Sequence, residues 1–466
     1  MKKTKNAVLA ACVSLVSLCL FSLPAVAQET LPPDLGTRPQ GTDWPIFLGP
    51  SHDSKSTETG LTTPWPEAGP RVVWQRPLGT SYGIGSVSRG RFFQFDRYDD
   101  VERLSVLNAE TGEQLWKFEY PTSYEDSLGY NNGPRTSPII DGDRVYIYGA
   151  EGKLHCLQIS TQKLIWKVDL SERFGVVQNF FGVGSSPVID GDLILVMVGG
   201  SPPESHQFGR FDLDRVIGKD SGVVALNKRT GEVVYHISDE LASYASMTYA
   251  EINGRPFAFA FARGGLLAFH PETGVIDFHF PWRAKLRDSV NASTPVIVGD
   301  EVFISETYGP GSALLKVKTG GYDVVWEDDP KKRDKAMQTH WNTAVYHDGY
   351  LYGSSGRHSN NAELRCIEWK TGKVKWSVPG LARSSLLYVD GHFVCLSEDG
   401  VLRLIKANPE KYDLVSETDL RQAPEPGARV RPLLTYPAWA APILSHGLLY
   451  VRGDNRLVCL EVIPKK

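Results

Sequence analysis

The chain has 466 residues, of which 41% are hydrophobic and 22% charged, and its formal net charge is −4. This mildly acidic balance argues against a nucleic-acid-binding protein, which would carry a strongly basic surface. Beyond the N-terminus, no segment approaches the ~20 consecutive apolar residues of a membrane-spanning helix. The 44 Gly, 30 Pro and 11 Trp favour a fold made of hairpins and docked aromatic rings.

The first 27 residues have the features of a secretory signal peptide. Three Lys residues form a basic start, residues 7–23 are apolar, and small residues precede Gln28. We expect cleavage after Ala27 and export to the periplasm or the extracellular space. Residues 9–12 also match a lipoprotein cleavage site at Cys12, although the apolar run continues well past it. Without residues 1–27, 47 basic and 54 acidic residues remain, a formal charge of −7.

The sequence predicts one folded domain after this segment. Residues 28–41 are rich in Pro and Gly and are expected to form a disordered approach to the fold. Although the length would usually suggest two or three domains, no linker divides residues 42–466, and repeat folds are the exception to that rule. We therefore assign residues 42–466 to a single domain.

A repeated phrase identifies the architecture of this domain. It consists of Thr-Gly, three or more further residues and then an aromatic residue, and it returns about every 40 to 50 residues, a period typical of propellers. Gly supplies the positive φ of a strand reversal, and the aromatic ring would cover the gap to a neighbouring blade. The instances begin at Thr111, Thr161, Thr230, Thr273, Thr319 and Thr371.

A second phrase precedes the first in several units. In Ser137-Pro138, Ser186-Pro187 and Thr294-Pro295 a short apolar strand follows and ends in a Gly-Asp hairpin. Together the two phrases describe a four-stranded blade. The units lie near residues 82–120, 132–170, 181–239, 243–283, 289–330, 339–379, 383–420 and 436–462.

The last unit ends before its aromatic strand appears. Residues 71–74 carry the missing apolar pair and a Trp, so we expect them to complete the last blade and close the ring, which would remove an exposed sheet edge. The alternative is that residues 42–80 form a loose N-terminal extension. The predicted fold is all-β, an eight-bladed propeller of four-stranded antiparallel blades closed by an N-terminal strand.

Four cysteines remain after cleavage, and an even number in an oxidising compartment permits disulfides. Cys156, Cys366 and Cys459 occupy the same position of the repeat, where other blades have small residues such as Ala225. We interpret them as small buried strand residues rather than as bridges.

These phrases resemble the pyrroloquinoline quinone (PQQ)-like repeat over about residues 42–462. Residues 43–50, 280–282, 291–296 and 448–452 are similar to exported PQQ-binding-like propeller proteins of unassigned activity. The resemblance implies a fold shared with quinoprotein alcohol dehydrogenases and with a propeller lipoprotein of the outer-membrane β-barrel assembly machinery. Function does not follow from it, because sites are grafted onto such folds independently.

The dehydrogenases of this family bind PQQ between a Trp floor and a disulfide of adjacent cysteines, with Ca²⁺ held by carboxylate and amide oxygens. This chain has neither adjacent cysteines nor a Cys-x-x-Cys-His haem motif. Trp341, Asn342, Asn291 and Asp288 could supply a floor and oxygen ligands. We assign no metal, because the histidines lack metal-ligand spacing, and PQQ with Ca²⁺ stays an alternative.

The starts of the inner strands should surround the mouth of the central channel. Aromatic, amide and guanidinium groups there would suit a polar or anionic ligand, a sugar or a peptide terminus. The alternative is that they only satisfy loop backbone groups and bind water. The candidate ligand-binding residues are Tyr82, Asn132, Arg135, Tyr244, Arg287, Asn291, His340, Trp341, Asn342, Arg383 and Trp439.

Blade 3 departs from the template through a long polar loop at residues 199–221. Long loops in compact folds are often binding elements, so His206, Arg210, Asp212, Asp214 and Arg215 could serve recognition. The alternative is a solvated charged loop.

Two functions from different classes remain open. The first is a non-catalytic binding or scaffolding module of the cell envelope, acting as a monomeric ring on an envelope protein, a glycan or a small polar ligand, with no catalytic residues. The second is a PQQ-dependent dehydrogenase that oxidises an alcohol or a sugar.

Overall fold

The computed structural model describes residues 31–36, 38–209, 212–286, 289–421, 432–454 and 456–465. The predicted signal peptide, residues 1–27, lies outside the described residues. The described chain forms eight sheets of four antiparallel strands. It is therefore the eight-bladed propeller that the repeat predicts.

The strands are short and nearly all the regular structure is β. One helix, α1 (Leu170–Phe174), and three 3₁₀ turns at Pro203–Gln207, Leu213–Arg215 and Ser359–Asn361 complete the described elements. The strands are β1 (Arg71–Pro77), β2 (Ser86–Ser88), β3 (Arg91–Tyr98), β4 (Val101–Asn108), β5 (Gln114–Pro121), β6 (Ile139–Asp141), β7 (Arg144–Tyr148), β8 (Lys153–Gln158), β9 (Lys163–Asp169), β10 (Val188–Asp190), β11 (Leu193–Met197), β12 (Val223–Asn227), β13 (Val233–Ile237), β14 (Thr248–Ile252), β15 (Arg255–Phe261), β16 (Gly265–Phe269), β17 (Ile276–Pro281), β18 (Val296–Val298), β19 (Glu301–Glu306), β20 (Gly311–Lys318), β21 (Gly321–Glu327), β22 (Val345–His347), β23 (Tyr350–Ser355), β24 (Glu363–Glu368), β25 (Val374–Pro379), β26 (Ser384–Val389), β27 (His392–Ser397), β28 (Val401–Lys406), β29 (Leu414–Asp419), β30 (Ile443–Ser445), β31 (Leu448–Arg452) and β32 (Arg456–Glu461).

Blades 1 to 7 each take four consecutive strands, starting with β2–β5 as blade 1. Blade 8 has the order β1-β32-β31-β30, so its outer strand comes from the N-terminal side of the chain. Arg71 pairs with Glu461 and Pro77 with Arg456 in this closure. The predicted closing strand is confirmed, and no separate sheet edge is left between the chain ends.

In four blades the aromatic residue of the repeat docks on the Thr-Gly turn of the next blade: Trp74 on Gly112, Trp166 on Gly231, Tyr235 on Gly274 and Trp326 on Gly372. Trp166 Nε1–H donates to the Lys228 carbonyl oxygen (3.1 Å), and a Cβ on Gly231 would lie 2.7 Å from the Trp166 ring. Likewise Trp326 lies against Gly372, where a Cβ would come within 2.8 Å of its ring. Only glycine combines the positive φ with this close approach, which explains the phrase in physical terms.

A β-bulge precedes the docking position in all eight blades. The register shifts just before Trp74, Trp116, Trp166, Tyr235, Phe278, Trp326, Trp376 and Ser416. Bulges bend a strand, increase its twist and interrupt the regular ladder at an exposed edge. The same irregularity therefore aims the ring at the next blade and protects the open edge of the blade that carries it.

Blade 7 has Ser416 where the other blades have a ring. The Trp65 backbone N–H donates to Ser416 Oγ (2.9 Å), and Trp65 is 5% exposed within the core cluster that includes residues of blades 7 and 8. The N-terminal segment therefore supplies a ring close to the one place where the repeat lacks it.

Residues 42–58 run across one end of the channel. Trp44 pairs with Val87 of blade 1, the Pro45 carbonyl accepts from Ile140 N–H of blade 2, and Lys55 bridges to blade 7. Trp44 is 1% exposed. The alternative of a loose extension is therefore wrong for this segment, which packs against the ends of the inner strands.

The structure also differs from the expected disordered approach at residues 31–36 and 38–41. Arg38 forms an ion pair with Glu461 (2.6 Å), and the Arg38 carbonyl oxygen lies 3.0 Å from His446 Nδ1. Because the Arg38 side chain is 9% exposed, these contacts fix its position on blade 8.

Cys156, Cys366, Cys395 and Cys459 are free and buried. The interpretation of Cys156, Cys366 and Cys459 as small buried strand residues is confirmed. Within the described ranges, no helix is long and apolar enough to cross a membrane.

We predict that Gly372→Ala destabilises the propeller more than Gly320→Ala does. Both glycines have a positive φ, +69° and +73°, so both substitutions incur the left-handed conformational cost of ~1–2 kcal/mol. A Cβ at Gly320 would meet nothing within 4 Å, whereas one at Gly372 would overlap the Trp326 ring, which adds ~1–3 kcal/mol. Denaturant unfolding of both variants measures the difference. Equal losses would contradict the docking role of the ring.

Candidate functional site

The inner strands are tied to one another by the hydroxyl groups of the second phrase. Ser186 Oγ accepts from Ser137 N–H (3.1 Å), and Ser246 Oγ accepts from Ser186 N–H (3.1 Å). Thr343 Oγ1 accepts from Thr294 N–H in the same way (3.2 Å). Each hydroxyl thus satisfies a backbone group of the preceding blade and positions the strand starts around the channel.

A cavity of about 480 Å³ occupies the channel and opens at the strand starts. Phe47 and Leu48, from the segment that crosses the other end, belong to its lining. Leu48 is 4% exposed, so the cavity is closed there by apolar side chains. The channel is therefore a cup with one mouth, a form suited to holding a small ligand.

Eight of the eleven predicted residues line this cup. They are Tyr82, Arg135, Tyr244, His340, Trp341, Asn342, Arg383 and Trp439. Asn132 and Asn291 are not part of the lining, and Arg287 lies outside the described residues, as does the neighbouring Asp288.

The three predicted amides satisfy the protein's own backbone. Asn291 Nδ2 donates to the carbonyls of Ala262 (2.7 Å) and Trp282 (3.2 Å). Asn132 Oδ1 accepts from Asp126 N–H (2.8 Å), and Asn342 Nδ2 donates to the Ser354 carbonyl (2.9 Å). These three side chains therefore stabilise loop conformations through hydrogen bonds to the backbone.

One side of the mouth is a continuous aromatic wall. The ring centroid of Trp439 lies 4.7 Å from that of Tyr82, 5.8 Å from Trp341 and 6.2 Å from Tyr436. The interplanar angles of 39° to 75° turn the rings relative to one another. Such tilted contacts leave several ring faces around a concave surface.

A second aromatic group comes from blades 2 to 4. Phe181 lies 5.3 Å from Tyr244 and 6.0 Å from Tyr130, measured between centroids. Tyr130 is 63% exposed, so this group extends from the cup onto the outer rim.

Arg383 is held by a buried carboxylate. Its Nε and Nη2 donate to the two oxygens of Glu398 at 2.9 and 2.5 Å, and Trp439 Nε1–H donates to the same carboxylate (2.8 Å). The Glu398 side chain is 0% exposed. Burial alone would raise the pKa of Glu398, but the hydrogen bonds from Arg383, Ser359 and Trp439 outweigh it and lower that pKa.

Arg135 is paired in the same manner on the other side of the mouth. Its Nη2 donates to Asp126 Oδ2 at 2.5 Å, with side-chain exposures of 9% and 0%. The guanidinium carbon lies 5.6 Å from the Tyr82 ring and 5.7 Å from the Phe181 ring. Arg135 thus links the two aromatic groups, with its charge balanced inside the protein.

His340 completes the wall as a neutral imidazole. Burial, with Arg383 and Arg357 nearby, lowers the pKa of His340 to about 3. Its Nδ1 lies 3.1 Å from Arg383 Nη1, which can only donate, so the proton is on Nε2 and faces Tyr308 Oη at 3.0 Å. His340 is therefore unsuited to act as a proton acceptor from a ligand.

Sequence reasoning missed the acids that neutralise the arginines. Glu398-Asp399-Gly400 has the composition of an ordinary hairpin turn, and Asp126 lies in an inter-blade loop. Neither acid stands at the start of an inner strand, the position from which the candidate residues were chosen. The arginines were therefore predicted and their acidic partners were not.

The loop of blade 3 packs beside the cup, against residues of blades 3 and 4. Asp214 binds Arg263 (3.2 Å) and Arg283, both from blade 4 and its following loop. Leu213 and Val216 are buried with Phe180 in one apolar cluster. The loop is thus partly structural, and its predicted Arg210 lies outside the described residues.

The lining does not fit a carboxylate-held calcium ion. Among the described residues that line the cup there is no Asp or Glu, and both oxygens of the adjacent Glu398 are engaged. In the same part of the chain, no group of three His, Cys, Asp or Glu residues could hold a metal ion. The four cysteines lie in blade strands and do not reach the lining.

A family model described as "Outer membrane protein assembly factor BamB" matches residues 100–337. No curated protein sequence matches the chain. Among solved structures, BamB from Moraxella catarrhalis superposes with a TM-score of 0.53 at 14% identity, covering 84% of this chain and 97% of that one.

Two further structures share the fold. Quinohemoprotein alcohol dehydrogenase from Comamonas testosteroni gives a TM-score of 0.61 at 12% identity, with coverages of 91% and 81%. A computationally designed protein, Ika8, gives 0.50 at 10% identity, with coverages of 88% and 99%. At these identities the likeness concerns the fold alone.

We predict that Glu398→Gln destabilises the protein by ~3–5 kcal/mol. The substitution leaves the Arg383 charge buried without its counter-charge. Asp323→Asn is the matched control, because Asp323 and its partner Lys318 are both more than half exposed, and we expect a change within ~0.5 kcal/mol. Denaturant unfolding measures both. A loss for Glu398→Gln no larger than that of the control would rule out a structural role for the pair.

We also predict that Glu306→Gln stabilises the protein at pH 8. Glu306 is 1% exposed, and burial raises its pKa to about 7, so the folded state favours the neutral acid. Its contribution is present below the unfolded pKa of ~4.3 and is lost as the pH rises to about 7, by ~1–3 kcal/mol.

Unfolding free energies from pH 4 to pH 8 test this. The unfolding free energy of Glu306→Gln should increase relative to that of the wild type as the pH rises. The control is Glu113→Gln in an exposed turn, whose unfolding free energy should differ from that of the wild type by the same amount at every pH. A constant difference between Glu306→Gln and the wild type would contradict the assignment.

Proposed function

Because the chain belongs to the PQQ-like repeat family described as outer membrane protein assembly factor BamB, we propose that it is a non-catalytic binding module of the cell envelope. Residues 42–466 act in this proposal as one ring-shaped domain, and the cup at the mouth is the ligand site. The observation that carries the proposal is the mouth itself, where aromatic rings are held by arginines whose charges are balanced by buried acids.

This arrangement is built for binding rather than for proton transfer. General acid–base catalysis needs a group with a pKa near the working pH within reach of the ligand. His340 has a pKa of about 3, and the pKa of Glu398 is lowered by three donors. Both groups hold the wall, and neither changes its protonation state near neutral pH.

The envelope location is supported by two observations. Residues 1–27 have the composition of a cleavable signal peptide, with three Lys before an apolar run and small residues at the cleavage site. In addition, the matching family model is described as "Outer membrane protein assembly factor BamB", and the similar structure from Moraxella catarrhalis is also a BamB. In the cell envelope the protein would encounter each of the three candidate partners: an envelope protein, a glycan or a small polar ligand.

The competing function is a PQQ-dependent dehydrogenase. The likeness to a quinohemoprotein alcohol dehydrogenase concerns the fold, and the described lining lacks the carboxylate that would hold Ca²⁺. Calorimetric titration of the mature protein with PQQ and Ca²⁺, with dye reduction over a panel of alcohols and sugars, separates the two. We expect neither saturable heat nor reduction; turnover would overturn the proposal.

Site-specific photo-crosslinking in the protein's own host tests the mouth directly. A photoreactive amino acid at Tyr130, on the rim, should give a discrete adduct that Tyr82→Ala abolishes. Val275, 60% exposed on the outer strand side of blade 4, is the control position. Indistinguishable adducts at the two positions would mean that the mouth is not the binding surface.

A further inference from the structure

We propose that the ligand of the cup is a neutral glycan chain whose sugar rings lie on the aromatic wall. This inference rests on the binding function proposed above and names the ligand class for the same site. Three features of the cup support it: the pairing of two of its arginines with acids, the aromatic wall and a set of spare hydroxyl donors.

The balanced charges disfavour an anionic ligand. Arg135 and Arg383 would be the natural anchors for a carboxylate or a phosphate. Each already donates to a carboxylate that is 0% exposed, and Arg383 Nη1 also donates to the Arg357 carbonyl (3.1 Å). A third lining arginine, Arg357, lies over the Tyr308 ring at 4.6 Å. At Arg135 and Arg383 an anion would have to compete with these carboxylates.

The ring faces match the shape of a pyranose. One face of a sugar ring presents C–H groups that pack on an aromatic face, while its hydroxyls point outward to hydrogen-bonding groups. Trp341, Trp439 and Tyr82 form such faces on one side of the cup, and Phe181 lies on the other side. A flat ring can therefore lie against either wall.

Hydroxyl donors lie in the cup near the strand starts. Ser186 and Ser246 line the cup, and each Oγ accepts a backbone N–H from a neighbouring blade. Among the described residues neither O–H has an acceptor, so each can donate inward. The hydroxyl and ether oxygens of a sugar would be suitable acceptors for these two donors.

The exposed rim favours a ligand that is longer than the cup. Tyr436 and Tyr130 line the cup and are nonetheless 57% and 63% exposed, and Leu128 beside them is 45% exposed. The aromatic surface thus continues from the mouth over the outer face. A chain of linked sugars can occupy both parts, whereas a single sugar would leave the rim bare.

Calorimetry of the mature protein with cello-, malto- and chito-oligosaccharides of increasing length tests the proposal. We expect at least one series to bind, with affinity that rises with chain length and then levels off. Since the ligand is neutral, the dissociation constant should be the same at about 0.05 and about 0.5 M salt. Tyr82→Ala and Tyr130→Ala should each weaken binding by ~10-fold.

Conservative variants separate ring stacking from general damage. Tyr82→Phe and Tyr130→Phe keep the ring and should bind as the wild type does, and Val275→Ala on blade 4 should change nothing. Unchanged unfolding midpoints would confirm that each variant is folded, and Tyr130→Ala, which alters an exposed side chain, keeps the test valid if Tyr82→Ala does not fold.

The outcomes distinguish failure of the glycan proposal from failure of the proposed binding function. If no oligosaccharide binds but the Tyr130 crosslink appears and needs Tyr82, the ligand is of another class and the glycan proposal is overturned while the binding function stands. If an anionic peptide binds in the cup instead, with an affinity that falls as the salt concentration rises, the glycan proposal is likewise overturned and the binding function stands. If neither sugar nor crosslink is found, both proposals fail.

Discussion

The propeller depends on the contact between an aromatic ring of one blade and the Thr-Gly turn of the next. A four-stranded blade buries its faces only against its neighbours, so each blade needs a defined rotation relative to the one before. The ring of Trp166 or Trp326, fixed by its indole hydrogen bond and by a glycine without a Cβ, sets that rotation. With β1 completing blade 8, the eight blades form a closed circle whose inner strands enclose the channel. The cup at the mouth is a consequence of this geometry.

The mouth combines an aromatic wall with two arginines that are paired with buried acids. A buried arginine is costly unless it is paired, and Asp126 and Glu398 provide that pairing from positions behind the wall. The guanidinium groups then serve as braces between rings, because they lie over Tyr82, Phe181, Trp341 and Trp439. A wall that is already organised loses little conformational entropy when a ligand binds, which favours recognition by shape and ring contact.

Much of the fold could be predicted from the sequence, because its physical cause is local and repeated. The Thr-Gly turns, the docking rings and the closing strand at residues 71–74 each carry a short signal, and all three predictions are confirmed. Blade 7 shows the limit, since its ring position holds Ser416 and Trp65 packs there from a segment outside the repeat. Phe47 and Leu48 could not be assigned to the cup for the same reason: nothing in their spacing relates them to the inner strands.

The candidate site was predictable in position and less so in character. Eight of the predicted residues line the cup because strand starts must surround a propeller channel. The amides of Asn132 and Asn291 face the protein's own backbone instead, since a loop at a blade start needs its carbonyls and N–H groups satisfied. The pairing of Arg135 and Arg383 with acids was not predicted, although Asp126 and Glu398 lie only 9 and 15 residues away along the chain, because acids in turns are usually solvated. Of the ligand classes that the sequence left open, an anion is the one that these paired arginines favour least.

The most direct test of this account is a high-resolution crystal structure of the mature protein soaked with a neutral oligosaccharide. The account predicts sugar rings packed on Trp341 and Trp439 above a floor of Phe47 and Leu48, with the Arg383–Glu398 pair intact. A sugar bound elsewhere with the cup empty, or a quinone held by a metal ion in the cup, would contradict it.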